Sequence, residues 1–124
     1  MRLLLDTQVM LWWLFDDPRL GADSRDLLAS SPCIVSVASI WEVAIKYRIG
    51  KLEVSPIVFR DQSIAAGAVL LPVLDLHVIE TAQLPLLHQD PFDRLLIAQV
   101  RVEGLMAVSS DGQWSGYDVS LHRL

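Results

Sequence analysis

Leu3-Leu4-Leu5-Asp6-Thr7-Gln8-Val9-Met10-Leu11 passes from a short apolar run, through an acid, into a second apolar stretch. Arg2 to Leu5 reads as a strand, and Thr7 opens a helix through about Phe15, its first turn set by a hydroxyl able to cap it. Asp16-Asp17-Pro18 ends that helix. Three further acids, Glu42, Asp93 and Asp111, stand at boundaries of the same kind far along the chain. Asp6 and Asp111 follow hydrophobic strands, while Glu42 and Asp93 fall in first helical turns. Parallel α/β folds gather their strand ends at one edge, so carboxylates at such boundaries can converge. A converged carboxylate cluster repels itself and raises its own pKa values, a cost that Mg²⁺ or Mn²⁺ relieves.

Outward from this stretch the alternation continues. Ala22 to Ser30 reads as a helix, Cys33 to Val37 as a strand, and Ser39 to Arg48 as a helix closed by Gly50. Ile57 to Ala66 is helical, Val69 to Leu74 has the continuous apolar character of a buried strand, and Leu76 to Leu84 is a helix stopped before Pro85. Asp90-Pro91 opens a helix over Phe92 to Glu103, Leu105 to Val108 is a strand, and Asp111 to Gly116 is a turn or short helix. Val119 to His122 closes the chain as an edge strand. Strands that alternate with helices in this way predict a parallel sheet wrapped on both faces.

With 124 residues, 52% of them hydrophobic, the chain fills one core and predicts a single domain over residues 1–124. Cys33 is the only cysteine, which excludes an intrachain disulfide and any multi-cysteine zinc site and fits a reducing, cytoplasmic setting. Asp6 and Gln8 interrupt the apolar N-terminus, against a signal peptide, and the run from Ile64 to Leu74 is too short to span a membrane. A net charge of −5 opposes a protein that coats nucleic acid by bulk electrostatics. A local basic rim of Lys46, Arg48, Lys51, Arg94 and Arg101 could still receive a polyanion. The tryptophans Trp12, Trp13, Trp41 and Trp114 read as packing residues, although adjacent Trp12 and Trp13 cannot share one helix face and leave one for an interface.

Each acid also has a purely structural reading. Ser39-Ile40-Trp41-Glu42 matches a capping box, and Glu42 precedes Lys46 by four residues in the favourable orientation. Asp90 and Asp93 flank Pro91 as a helix cap and a dipole-complementing acid, Asp111 precedes a turn glycine, and Asp6 could merely end a strand. His77, His88 and His122 are scattered and read as solvent-facing or structural.

Four ordered blocks decide between these readings. They are Leu3-Leu4-Leu5-Asp6-Thr7 with Leu11-Trp12-Trp13, Ser39-Ile40-Trp41-Glu42-Val43-Ala44-Ile45-Lys46, Gly50-Lys51-Leu52, and His88-Gln89-Asp90-Pro91-Phe92-Asp93-Arg94-Leu95-Leu96-Ile97-Ala98-Gln99. Together they resemble the PIN-domain ribonucleases, and within them the VapC-type toxins of toxin–antitoxin pairs. The resemblance implies a three-layer α/β/α sandwich with a mostly parallel central sheet, and a Mg²⁺- or Mn²⁺-dependent endoribonuclease. Carried over by position, it implies a catalytic quartet of Asp6, Glu42, Asp93 and Asp111, with Asp6, Asp93 and Asp111 on the metal and Glu42 on the attacking water. Ser109, Asp90 and Thr7 would support them, Ser109 by steadying the first aspartate. It further implies an RNA substrate, a cognate antitoxin protein whose basic side chain could enter the acidic crevice, and a homodimer. Gln8, often histidine in this family, and Gly112-Gln113-Trp114, where Pro-x-Phe is more usual, depart from the pattern and bear on substrate choice.

Two other classes share such a sheet and acidic crevice. A haloacid-dehalogenase-like phosphatase needs two aspartates spaced by one residue after the first strand, where this chain has Asp6-Thr7-Gln8. A receiver domain needs an acidic pair there and a lysine after the last strands, and neither is present. A non-catalytic module with an acidic pocket is the remaining alternative.

Overall fold

The computed structural model describes residues 1–124. Five strands, β1 (Leu3–Leu5), β2 (Cys33–Ser36), β3 (Val69–Leu71), β4 (Met106–Ser109) and β5 (Ser120–Arg123), form one sheet in the order β3-β2-β1-β4-β5. Every neighbouring pair is parallel, with Leu4 beside both Ile34 and Ala107. The helices are α1 (Thr7–Leu14), α2 (Ala22–Ser30), α3 (Val37–Arg48), α4 (Pro56–Ala65), α5 (Asp75–Glu80) and α6 (Pro91–Glu103), with short 3-10 turns at Thr81–Gln83 and Gly112–Gly116. No helix is long and apolar enough to cross a membrane.

The three central strands β1, β2 and β4 are mostly apolar because both of their faces are covered. Alternate residues point to opposite sides: Leu3, Leu5, Cys33, Val35 and Val108 join one core with Val9, Met10 and Leu28, together with Phe59. Leu4, Ile34 and Ala107 join the other with Leu96, Ile97, Val100 and Trp114. The result is a three-layer α/β/α sandwich, as the alternation of elements and the family resemblance both imply.

Several local expectations are corrected. Helix α1 is capped by Asp6, whose Oδ1 accepts the Val9 amide at 2.7 Å, and not by Thr7. Helix α3 begins at Val37 with Ser36 as its cap, so the Ser39–Glu42 capping box does not form and Glu42 lies in the second turn. The strand at Val69 ends at Leu71 and is a sheet edge with Val69 exposed, not a buried strand. Trp12 and Trp13 both pack half-buried against the first core, so neither is the free face expected. The exposed tryptophan is Trp41, set edge-to-face on Phe92 with ring centroids 5.0 Å apart.

This connectivity fixes the place of the site. The chain runs from β1 outward to β3, then returns to the other side of β1 for β4 and β5. The order therefore reverses between β1 and β4, which opens a crevice at the carboxyl ends of those two strands. Asp6 follows β1, Asp111 lies two residues past β4, and the Asp6 amide is bound to the Val108 carbonyl at 3.0 Å.

Candidate metal centre

A cleft of about 500 Å³ occupies this switch point, and Asp6, Glu42, Asp93 and Asp111 all line it together with Thr7, Gln8 and Asp90. The expected acids thus share one site, although they come from four separate segments. Gln8 faces the cleft, and the divergent Gly112-Gln113-Trp114 segment forms the 3-10 turn directly after Asp111.

Buried Asp6 is held at both oxygens. Its Oδ1 accepts the Val9 amide, and its Oδ2 accepts the Ser109 hydroxyl, which in turn accepts the Asp111 amide at 3.0 Å. One side chain, Ser109, thereby ties the first acid to the backbone of the last. Glu42 is likewise held at both oxygens, by the Thr7 hydroxyl on Oε1 (2.7 Å) and by Lys46 Nζ on Oε2 (2.8 Å). Thr7 also lies 2.9 Å from the Ser39 hydroxyl. Thr7 and Ser39 thus serve the site, not the helix caps assigned to them by sequence pattern. Asp90 caps α6, its Oδ1 accepting the Phe92 and Asp93 amides, which sets Asp93 on the first turn facing the cleft.

His88 is the residue that sequence reasoning missed. Its Nε2 lies 2.8 Å from Asp93 Oδ2 and 2.8 Å from Asp111 Oδ2, while its Nδ1 accepts the Asp90 amide at 3.1 Å. Accepting that amide leaves the ring's proton on Nε2, between the two carboxylates. The signal was its place two residues before the Asp90 cap, obscured because the three histidines are scattered. His77 is structural, wholly buried and accepting the Leu74 amide on Nδ1.

The basic rim is narrower than expected. Lys46 and Lys51 line the cleft, whereas Arg48, Arg94 and Arg101 do not. Arg94 turns back to the carbonyls of Pro85 (2.8 Å) and Thr81 (2.9 Å), and Arg101 pairs with Glu80 at 3.1 Å. Both are spent on holding the molecule together.

The carboxylates are not electrostatically equal. Burial, reinforced by Glu42 and Asp111, pushes Asp6 up to about 6 against the opposing hydrogen bonds from Ser109 and Val9. Burial, together with the charges of Asp90, Asp6 and Glu42, raises Asp93 to about 7 despite His88. Burial also acts to raise Asp111, but the Gln113 amide and His88 outweigh it and hold that carboxyl below its ordinary value. Hydrogen bonding to Glu42 holds the Lys46 ammonium above its ordinary value. Two acids that resist ionisation beside a third that does not describe a site short of positive charge. The four acids offer carboxylate oxygens, a hard ligand set that suits Mg²⁺ or Mn²⁺, and the ligand-capable atoms that lie within 4.8 Å of one another are those of Asp93, Asp111 and His88.

No curated protein matches by sequence. Among solved structures, a chain of the VapBC2 complex of Rickettsia felis, bound to a DNA fragment from its promoter, superposes with a TM-score of 0.73 at 14% identity, covering 99% of this chain and 98% of that one. A chain of the DNA-bound VapBC complex of Salmonella typhimurium gives 0.72 at 13% identity, with 99% and 98% covered. A toxin–antitoxin complex from Klebsiella pneumoniae gives 0.65 at 14% identity, with 98% of each chain covered. At such identities the likeness is one of fold. The sequence model of the PIN domain matches residues 3–119, nearly the whole length, and on that match the chain belongs to the PIN domain family.

Proposed function

We propose that the protein is a Mg²⁺- or Mn²⁺-dependent endoribonuclease, the VapC-type toxin of a toxin–antitoxin pair, acting in the cytoplasm. The observation that carries this reading is the meeting of Asp6, Glu42, Asp93 and Asp111 in one cleft, with Asp6 and Asp93 both raised toward neutrality. Spending stability on crowded carboxylates is the mark of a site built for a cation.

Asp6, Asp93 and Asp111 would hold the metal, with Ser109 keeping Asp6 and the Asp111 backbone in place. A bound divalent cation supplies a lowered pKa for a coordinated water and a counter-charge for the scissile phosphate. Glu42, fixed by Thr7 and Lys46, would orient an attacking water and take its proton. The N-termini of α1 and α6 open onto the cleft and favour an anionic phosphate, and Lys51 adds a positive charge at its wall. Attack by water with cleavage of the P–O3′ bond would leave a 5′-phosphate and a 3′-hydroxyl, the 3′-oxygen taking a proton as it departs.

The structural likeness to chains of VapBC and toxin–antitoxin complexes supports an antitoxin partner. Leu76 and Ile79, both exposed and one turn apart on α5, offer apolar surface through which a homodimer could form. The test is cleavage of an end-labelled RNA by purified protein in Mn²⁺ or Mg²⁺ and in EDTA. Cleavage should require the metal and leave 5′-phosphate ends; full activity after exhaustive metal removal would rule the mechanism out.

A further inference from the structure

The position between Asp93 and Asp111 already has an occupant. His88 Nε2 sits 2.8 Å from one oxygen of each, Asp93 Oδ2 and Asp111 Oδ2. Magnesium ligands lie at about 2.0–2.1 Å. A cation bound to both oxygens would therefore fall within contact distance of Nε2. Two outcomes are open to the ring: it ligates, or it leaves.

Ligation requires a lone pair on Nε2 and hence a proton on Nδ1. That proton would point at the Asp90 amide, which already donates to Nδ1 at 3.1 Å. Two donors would face each other, and Asp90 is not free to turn, because its carboxylate caps α6. Departure gives up the same Asp90 contact but sets no two donors against each other. The backbone at His88 is pinned, its amide donating to the Tyr117 hydroxyl at 2.8 Å and Arg94 gripping the Pro85 carbonyl. The side chain can therefore swing on a fixed base without unravelling the loop.

Resting on the metal-site reading above, we propose that His88 is an internal stand-in for the cation, a latch that bridges Asp93 and Asp111 in the metal-free protein and must swing aside for a metal to bridge them. The bridge shares one N–H between two carboxylates that would otherwise repel each other. It stabilises the empty site and competes with the ion for the same two oxygens.

The test is calorimetric titration of MnCl₂ into the EDTA-treated, dialysed full chain, with melting temperatures measured in EDTA. His88→Ala removes the competitor and should bind Mn²⁺ about tenfold more tightly, the equivalent of one charge-assisted hydrogen bond no longer broken. The same variant should melt below wild type when metal-free. His88→Gln, whose amide can still donate, should fall between the two in affinity. This pattern is not what a merely structural histidine gives, because loss of such a residue weakens binding. Weaker or equal Mn²⁺ binding by folded His88→Ala, with wild type binding normally, overturns the latch alone. Absence of binding in wild type and both variants overturns the metal-site reading and the latch with it.

Discussion

Glu42 can be read from the sequence in two ways, and the fold removes one part of the structural reading, the capping box, while keeping the other, the pair with Lys46. The capping box it appears to form with Ser39 does not exist, because the helix starts at Val37; its carboxylate is instead held by Thr7, thirty-five residues earlier in the chain, and by Lys46. Glu42→Gln keeps the shape and removes the charge. It should lower the rate of RNA cleavage by about 10²-fold or more, the scale of a lost general base. Its melting temperature should stay near wild type, and an unchanged rate would return Glu42 to a structural role. That the four acids meet in one cleft was legible only from all four taken together with the family resemblance, since each alone reads as a cap, turn or ion-pair residue. The work of Thr7, Ser109 and His88 was less so, because each acts on a partner brought near only by the sheet.

At the scale of elements, all eleven helices and strands overlap the segments where pattern places them, and the differences lie in their ends and their burial. Apolar runs identify strands but not their neighbours, so Val69 to Leu71 read as buried and is an edge. Cap residues cluster, so Ser36 and Ser39 compete for the start of α3 and only the backbone decides. Helix α6 offers the clearest test. Asp90 caps it and also raises Asp93 by charge, and two substitutions separate these effects. Asp90→Ala should cost about 1 kcal/mol, a loss of roughly 3–4 °C in melting temperature. Asp90→Asn retains the acceptor and should melt near wild type, while the Asp93 carboxyl, followed by NMR, titrates at lower pH. Equal melting temperatures for both variants, with Asp93 unmoved, would contradict this division of labour.

For the whole molecule, the crowded cleft makes stability depend on pH in an unusual direction. Asp6 rises from 3.8 to about 6, and Asp93 from 3.8 to about 7. Between these values the folded chain keeps protons that the unfolded chain has released, so stability falls as pH rises from about 4 to about 7. Asp6 alone is worth ~3 kcal/mol across its window before screening. Asp17, held down to about 2 by Arg19, acts in the opposite sense but only below pH 4. The metal-free protein should therefore melt several degrees higher at pH 5 than at pH 7.5. Millimolar Mn²⁺ should raise the melting temperature at pH 7.5 and much less at pH 5, since protons compete for the same oxygens. A metal-free melting temperature that rises steadily through this range would contradict the assignment. The central claim, that these carboxylates exist to hold a cation for RNA cleavage, is tested most directly by Asp93→Asn, compared with wild type in one preparation for Mn²⁺-dependent cleavage of a labelled RNA. Cleavage should vanish while the metal-free protein melts at or above the wild-type temperature; cleavage by Asp93→Asn at the wild-type rate, with contaminating nuclease excluded, would contradict it.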